Sequence, residues 1–196
     1  MEPFTAVILA GGQSQRMGQD KAWLDVGGQP LIVHVVERLR NLAAEVIVVR
    51  GTPTSPLPKL LARVVEDRCQ GMGPLAGLQA GLDASATPWI FAAACDMPLL
   101  NPALIRYLAL LRPGYDVIVP YPAGQPEPLH AFYHRRCLPV IEQALASQQR
   151  PIWRIYDKLR IRPVLPAELV IFDPDLQSFV NINTPIEWEK VRRLIS

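Results

Sequence analysis

An apolar run at residues 4–9 leads directly into two adjacent glycines, Gly11 and Gly12, and this junction constrains the fold more than any other stretch. The run predicts a buried strand. Glycines after a strand let the backbone approach a ligand closely and aim several N–H groups at an anion. Arg16 and Lys21 follow in the same stretch. A cation about 4 Å from a phosphate is worth about 4 kcal/mol at an effective dielectric near 20, so the two charges outweigh the loop amides. The stretch therefore predicts a polyphosphate site.

The spacing of this stretch excludes two common nucleotide-binding motifs. A P-loop places Lys and then Ser or Thr directly after its second glycine. Here Gly18 is followed by Gln19, and Lys21 is followed by Ala22. The Gly-x-Gly-x-x-Gly fingerprint of dinucleotide-binding proteins is also missing here. The alternative is an ordinary turn in which Arg16 pairs with a neighbouring aspartate. We favour phosphate contact because an ordinary turn needs neither so long a loop nor both cations.

Composition limits the class of protein. The 196 residues, 49% of them hydrophobic, are enough for one domain with a substantial core. The net charge is +2 and the basic residues are scattered, which predicts no nucleic-acid partner and no membrane surface. The 3 cysteines lack a C-x-x-C pair. No basic region precedes the first apolar run, as a signal peptide would require, and no apolar stretch approaches the length of a membrane span. We therefore expect a cytoplasmic protein with reduced thiols.

Apolar runs alternate with segments of helical periodicity over the first 120 residues. Predicted strands cover residues 4–9, 45–49, 63–65, 89–94 and 116–119. Predicted helices cover residues 30–42, a short segment before residue 63, 74–84 and 102–111. This order predicts a Rossmann-like α/β fold of three layers, with a mostly parallel, doubly wound sheet and helices on both faces.

The second part of the chain, about 121–196, has a looser pattern that we interpret as completing the same single domain. It predicts an antiparallel strand at 129–133, helices at 138–146 and 152–159, and short strands at 168–172 and 179–180. Thr184 and Glu187 form a capping box with Pro185 in the first turn, which predicts a last helix reaching about residue 195.

Acidic residues follow two of the predicted strands, at the edge where open α/β sheets bind ligands. Asp96 follows the apolar run 89–94, and Mg²⁺ binds proteins through one or two carboxylates plus phosphate oxygens, so Asp96 is a candidate metal ligand. Its alternative role is helix capping. Asp67 is a candidate ligand contact, and the alternative is a surface acid beside Glu66. Gly73, in a second glycine-containing segment, permits close approach of a ligand or of the first loop.

Four further side chains invite a chemical interpretation. Cys95 lies beside Asp96, but without a nearby histidine a buried thiol is favoured over a nucleophile. His130 is expected to be structural or to line the substrate. Asn181 and Asn183 share one face if their segment is extended. Alternatively, Asn183 satisfies the first turn of the following helix.

Five motifs between Leu9 and Pro185 occur in the order found in the molybdenum cofactor guanylyltransferases, which this sequence resembles. They are Leu9-Ala-Gly-Gly-x-Ser-x-Arg16-Met-Gly18-x-Asp20-Lys21, Gly73-Pro-Leu-Ala-Gly77, Cys95-Asp96-Met-Pro98, Glu127-Pro-Leu-His130 and Asn181-Ile-Asn183-Thr-Pro185. The two adjacent glycines of the first motif, Gly11-Gly12, are the specific feature, because related cytidylyltransferases and sugar nucleotidyltransferases usually resemble Leu-Ala-Ala-Gly there.

The resemblance implies transfer of GMP from GTP to the terminal phosphate of molybdopterin carrying molybdenum, with Mg²⁺ and release of pyrophosphate. It implies that residues of about 1–120 bind the nucleotide, and the implied contacts are Leu9, Ala10, Gly11, Gly12, Lys21, Asp67, Gly73 and Asp96. Arg16, Lys21 and Asp96 would be catalytic, with Asp96 on the metal. His130, Asn181 and Asn183 would lie on the pterin side. An asparagine that family members can place after the second strand is absent from residues 49–52.

Two other functions are compatible with these motifs. One is a cytidylyl- or sugar-phosphate nucleotidyltransferase, and the other is a nucleotide-binding module that performs no transfer. The pair Gly11-Gly12 and the segment 181–185 argue against the first alternative. The combination of Arg16, Lys21 and Asp96 argues against the second. The resemblance also allows transient contacts with proteins that deliver molybdopterin or accept the product.

Overall fold

A seven-stranded sheet organises the fold. The computed structural model describes residues 2–10, 21–51, 57–67, 69 and 71–195. Strands in these ranges are β1 (Thr5–Ala10), β2 (Asp25–Val26), β3 (Gln29–Pro30), β4 (Glu45–Arg50), β5 (Arg63–Glu66), β6 (Trp89–Ala94), β7 (Val117–Pro120), β8 (His130–His134) and β9 (Ile161–Val164). The α-helices are α1 (Leu31–Arg40), α2 (Pro74–Ala84), α3 (Pro102–Leu110), α4 (Leu138–Ala146), α5 (Pro166–Leu169) and α6 (Pro185–Ile195).

The strand order of the large sheet is β5-β4-β1-β6-β8-β7-β9. β1 pairs in parallel with β4 and β6, β4 with β5, and β7 with β9. β8 is antiparallel to both of its neighbours, β6 and β7. The mostly parallel sheet and the antiparallel strand near 129–133 are thus confirmed. Because Ala93 pairs with His130, β8 begins at the sheet edge where β6 ends.

Helices cover both faces of the sheet, which confirms the three-layer architecture. α1 and α3 pack on one face, and α2 and α4 pack on the other. Each face of the sheet has its own hydrophobic core. Alternate residues of β1 contribute to the two cores, Ala6 and Ile8 on one face and Val7 and Leu9 on the other. A strand covered on both faces has no polar side, which explains the continuous apolar run in the sequence.

Gly81 sets how closely α2 approaches β1. A Cβ atom at Gly81 would lie 2.4 Å from Cγ1 of Val7 and 3.2 Å from its Cβ. Only a residue without a side chain allows the helix and the strand to be this close. The backbone of α2 at Gly81 therefore packs directly against the Val7 side chain of the central strand.

A third, smaller core attaches α6 to the β2–β3 hairpin. It contains Leu24, Val26, Leu31, Leu99, Ile182 and Val191. Trp188 donates from Nε1 to the carbonyl of Asp25 at 2.8 Å. Thr184 and Glu187 form the predicted capping box, in which the Glu187 N–H donates to Thr184 Oγ1 at 3.2 Å. No helix in the described ranges has the length and apolar character needed to cross a membrane.

Four predicted elements are wrong. Residues 57–62 contain no helix, and the segment 152–159 forms a 3₁₀ helix, Ile152–Lys158, instead of an α-helix. The strands predicted at 168–172 and 179–180 are absent. The Glu168 carboxylate instead accepts the N–H of Leu165 at 3.1 Å and starts α5, after which Ile171 is 71% exposed. A local cap therefore overrides the apolar pattern.

Two strand pairings have no counterpart among the predictions. β9 contains Pro163, which cannot donate to a ladder and is tolerated because β9 lies at the edge of the sheet. The β2–β3 hairpin turns through Gly27 and Gly28, both with positive φ angles of 61° and 85°. Its strands have two residues each, too few for a recognisable alternation.

Candidate active site

The carboxyl ends of four neighbouring parallel strands form one continuous edge. The backbone hydrogen bonds of the ladder continue beyond the strands: the Gly51 N–H donates to the Ala10 carbonyl at 3.4 Å and the Cys95 N–H to the Leu9 carbonyl at 3.2 Å. The Asp67 N–H donates to the Arg50 carbonyl at 3.0 Å. Strands lie about 4.8 Å apart, so Asp67 after β5 and the residues after β6 are roughly 14 Å apart along this edge. One extended ligand can reach both.

Leu9 and Ala10 end β1 at the centre of this edge, and both are buried. Three residues predicted to contact the nucleotide, Gly11, Gly12 and Arg16, lie outside the described residues. Lys21 begins a 3₁₀ turn, Lys21–Trp23, but its side chain is also outside the described part. The roles of these residues stay predictions.

Asp67 and Glu66 separate in space although they are neighbours in sequence. Glu66 is exposed and accepts a hydrogen bond from Arg50 Nη2 at 2.7 Å. Asp67 is half-buried, its Oδ1 accepts the N–H of Cys69 at 2.8 Å, and burial raises the pKa of its carboxyl. Asp67 is therefore held at the edge of the sheet, while Glu66 pairs with the arginine that ends β4.

Gly73 immediately precedes α2 with φ 72° and ψ −159°. Nothing lies within 4 Å of where its Cβ would be, so the backbone angles and not the space select glycine. Gly73 is exposed, and its carbonyl accepts the N–H of Ala76 at 3.2 Å. The glycine thus lets the chain turn sharply into the helix while leaving its backbone open to a ligand.

Asp96 occupies the turn that follows β6 and is partly exposed. Its backbone carbonyl accepts the N–H of Ile182 at 3.0 Å, which brings the segment containing both candidate asparagines to this turn. The following helix is capped by Asn101, whose Oδ1 accepts the N–H groups of Ala103 and Leu104 at 2.8 and 3.4 Å. The cap of α3 therefore does not account for Asp96.

Glu127 is the residue that sequence reasoning missed, although its motif was noticed. It precedes β8, and because β8 runs antiparallel this loop returns to the edge where β6 ends. Burial raises the pKa of the Glu127 carboxyl, and the negative charge of Asp96 raises it further. Glu127 Oε1 also accepts the N–H of Leu129 at 3.3 Å. The Glu127 carboxyl thus interacts with Asp96, the predicted metal ligand.

Two tyrosines hold the Glu127 loop in place. Tyr133 donates its hydroxyl hydrogen to the carbonyl of Pro128 at 2.9 Å. The Tyr156 hydroxyl lies 2.9 Å from the Tyr133 hydroxyl and donates to it, because the Tyr133 hydrogen is already used. Both tyrosines are buried, so the loop is fixed from inside the core.

His130 is completely buried, as the structural interpretation expects. Its ring contacts Phe91 edge-on at 5.1 Å between centroids and Phe179 at 4.7 Å. Burial lowers the pKa of His130 to about 3, so the ring is neutral near pH 7. The side chain has no exposed surface here, and the predicted contact of His130 with a substrate stays a prediction. His134, four residues along the same strand, is about 13 Å away, too far to share a metal.

Asn181 and Asn183 lie in a segment without regular secondary structure and have different surroundings. Asn181 is half-buried, and its Oδ1 is buried with no hydrogen-bond partner among the described residues. Asn183 is exposed and donates its backbone N–H to Glu187 Oε2 at 2.8 Å. The hydroxyl of Thr184 caps α6. Asn181 therefore carries an unused acceptor next to the turn of Asp96.

Comparison with known proteins identifies the family. The model of the MobA-like NTP transferase domain matches residues 6–163 of the chain. The chain belongs to this family. It is therefore a nucleotidyltransferase, and the matched region includes the carboxyl edge of β1, β4, β5 and β6 together with the Glu127 loop.

Curated relatives match over almost their whole length. A probable molybdenum cofactor guanylyltransferase of Pelotomaculum thermopropionicum is 39% identical over 96% of this chain and 91% of its own. The molybdenum cofactor guanylyltransferase of Desulfosudis oleivorans is 37% identical over 100% of this chain and 97% of its own. These matches include the segment 181–185 beyond the family model.

Solved structures agree with the fold. Molybdopterin-guanine dinucleotide biosynthesis protein A from Archaeoglobus fulgidus superposes with a TM-score of 0.84 at 27% identity, covering 97% of this chain and 98% of that one. A 2-C-methyl-D-erythritol 4-phosphate cytidylyltransferase from Thermus thermophilus gives a TM-score of 0.74 at 19% identity, with 98% of both chains covered. The second likeness concerns the fold alone.

Proposed function

We propose that this protein transfers GMP from GTP to the terminal phosphate of molybdenum-bearing molybdopterin and releases pyrophosphate. The observation that carries the proposal is the continuous edge of the parallel strands β5-β4-β1-β6, where Asp67 follows β5, Ala10 ends β1 and Asp96 lies in the turn after β6. Asp67 and Gly73 would contact the nucleoside side of GTP, and the β1 loop with Arg16 and Lys21 would contact its phosphates. The full-length similarity to named guanylyltransferases supports this substrate pair.

The acceptor occupies the other end of the same edge. Asn181 presents a buried oxygen that has no hydrogen-bond partner in the described part of the chain and lies beside the turn of Asp96, and Asn183 is exposed in the same segment. In this arrangement residues of about 1–120 bind the nucleotide and residues of about 121–196 complete the pterin side. Contact of His130 with the acceptor would require the surrounding aromatic rings to move.

The carboxyl groups at the turn fit a divalent cation. Mg²⁺ binds proteins through one or two carboxylates and completes its shell with phosphate oxygens and water. Asp96 and Glu127 supply such a pair, while no larger cluster of His, Cys, Asp and Glu suited to a metal occurs within the described ranges. We assign the primary role to Asp96. When bound, Mg²⁺ neutralises part of the charge on the triphosphate.

The transfer needs positioning more than proton chemistry. A terminal phosphate oxygen of molybdopterin attacks the α-phosphorus of GTP, a new P–O bond forms, and the bond to the bridging oxygen breaks so that pyrophosphate leaves with its electron pair. A phosphate monoester is already anionic near pH 7, so no general base is required. The protein contributes alignment of the reacting groups and cations around the developing charge.

The cellular setting follows from the substrates. All 3 cysteines are free, which suits a reducing cytoplasm. Molybdopterin is delivered and the product is passed on, so we also propose transient contacts with a delivering and an accepting protein.

The test is to incubate the protein with molybdenum-loaded molybdopterin and Mg²⁺ and to add each nucleoside triphosphate in a separate reaction. We expect pyrophosphate release only in the reaction that contains GTP. Its product should be a guanine dinucleotide, identified by mass. Turnover with CTP but not GTP would assign the protein to the cytidylyltransferases. Binding of GTP without pyrophosphate release would indicate a module that performs no transfer.

Asp96→Ala tests the metal assignment. We expect loss of metal-dependent turnover with an unchanged fold, because one of the few carboxylates at the turn is removed. The matched control is Asp83→Ala, at an exposed position near the end of α2, and it should keep full activity. Full activity of Asp96→Ala would remove this residue from the site.

Lys21→Ala tests the phosphate assignment. We expect the rate to fall by about 10²–10³, as when one preorganised donor to a transition state is lost. The measurement is steady-state pyrophosphate release at saturating GTP. A fall of less than tenfold would mean that Lys21 is simply solvated.

A further inference from the structure

A buried carboxylate outside the site described above organises the segment that leads to Asn181. Asp173 is 5% exposed and accepts two backbone hydrogen bonds, from the N–H of Gln177 at 3.0 Å and of Ser178 at 2.8 Å. Its own carbonyl accepts the N–H of Leu176 at 3.0 Å. Hydrogen bonds to an ionised acceptor are about twice as strong as neutral ones, so this residue closes a tight turn.

The turn contains an unfavourable backbone conformation. Leu176 has φ 51° and ψ 35°, the left-handed region that residues with a branched side chain rarely adopt. Such a conformation persists only where surrounding interactions determine it. The two N–H groups bound by Asp173 belong to the next two residues along the chain, so its carboxylate is the group that stabilises this conformation.

The turn is fastened to the loop that carries Asp96 at two points. Asn101 donates its backbone N–H to Ser178 Oγ at 2.9 Å and its side-chain amide to the carbonyl of Phe172 at 2.8 Å. Further along, the Ile182 N–H donates to the Asp96 carbonyl at 3.0 Å. Between these fixed points only a few residues remain, and Asn181 is among them.

A ring contact adds a third anchor. Phe179 follows the turn and packs on the buried ring of His130 at 4.7 Å between centroids. His130 is completely enclosed, so this contact is packing between two rings inside the core. The contact between Phe179 and His130 therefore also fixes the path of the chain from Ser178 to Asn181.

We propose that Asp173 is a positioning residue, whose carboxylate sets the turn that presents Asn181 beside Asp96 and thereby determines the affinity for the second substrate. The proposal rests on the proposed function, since it takes Asn181 as part of the acceptor side. Asp173 itself touches no reacting atom. Its influence passes through Ser178 and the backbone that follows.

The test compares Asp173→Ala, Asp173→Asn and the control Asp175→Ala. Asp175 is exposed and only two residues away, so its replacement leaves the turn intact. In Asp173→Ala we expect the KM for molybdopterin to rise at least tenfold while the dissociation constant for GTP changes less than twofold. Asp173→Asn keeps one acceptor oxygen and should give an intermediate KM.

Hydrogen exchange provides a readout that does not depend on catalysis. In Asp173→Asn the amide of Ile182 should exchange at least tenfold faster than in the wild type, while amides of β1 and β6 keep their protection. Unchanged exchange at Ile182 would overturn the proposal, as would an equal loss of affinity for both substrates. If the wild type itself fails to transfer GMP, the proposed function fails, and the exchange result still decides whether Asp173 positions the segment.

Discussion

Replacing Gly81 by alanine should destabilise the protein although the change improves helix propensity. The new Cβ would lie 2.4 Å from Cγ1, 3.0 Å from Cγ2 and 3.2 Å from Cβ of Val7, whereas carbon atoms pack best at about 3.5–4.0 Å. Rotating the Val7 side chain cannot move its Cβ, so α2 and β1 must separate. Overpacking of this kind costs about 3 kcal/mol, and the gain in helix propensity offsets about 1 kcal/mol. The net loss is about 2 kcal/mol.

Gly77→Ala is the matched comparison because it lies on the same helix and gains the same propensity. Its Cβ would meet the terminal methyl groups of Leu9 at 3.0 and 3.4 Å, and these can shift. Its net effect should lie within about 1 kcal/mol of zero. For a protein of this size, a loss of 2 kcal/mol lowers Tm by about 4–8 °C, which thermal unfolding followed by circular dichroism detects easily. If Gly81→Ala unfolds at the same temperature as Gly77→Ala or above it, the packing argument is refuted.

Two other changes test the turn into α2 and the two ion pairs of the buried Asp116 carboxylate with largely exposed arginines. Gly73→Ala puts a side chain on a backbone with φ 72° and ψ −159°, which costs about 1–3 kcal/mol. Titration with GTP should therefore show weaker binding, and Tm should fall. Unchanged values of both would mean that the loop relaxes freely. Hydrogen bonds from Arg160 and Arg136 hold the pKa of Asp116 well below its unfolded value of 3.8. The resulting stability is present above pH about 4 and is lost as the pH falls further, so Asp116→Asn should cost about 2 kcal/mol at pH 6 and flatten the acid dependence of urea unfolding. Parallel pH profiles of variant and wild type would contradict this explanation.

The central part of the sheet was predictable because its strands are buried on both faces. The continuous apolar runs of β1 and β6 leave no other location for them, and Asp96 follows one of these runs directly. The position of β8 was not predictable. Its sequence indicates an antiparallel strand, but the choice of β6 and β7 as neighbours depends on contacts between distant parts of the chain.

Two relationships at and near the site that the sequence does not reveal depend on backbone groups and on chain direction. Asp173 acts on the N–H groups of Gln177 and Ser178, which every residue except proline possesses, so its spacing gives no recognisable pattern. Glu127 interacts with Asp96 only because β8 returns to the edge where β6 ends. Residue types alone specify neither relationship.

The reversed direction of β8 also has a consequence for how substrate range can change. In a purely parallel sheet, the loop before a strand lies at the edge opposite the ligand, and only the loops after the strands can vary the site. Here the loop at 121–129 precedes a strand and still reaches the ligand edge, with both of its ends anchored in the sheet by β7 and β8. Changes in this loop outside Glu127 can therefore reshape the ligand edge without altering β1, β4 or β5. The reversed strand thus lets this loop both begin and end at the ligand edge of the sheet.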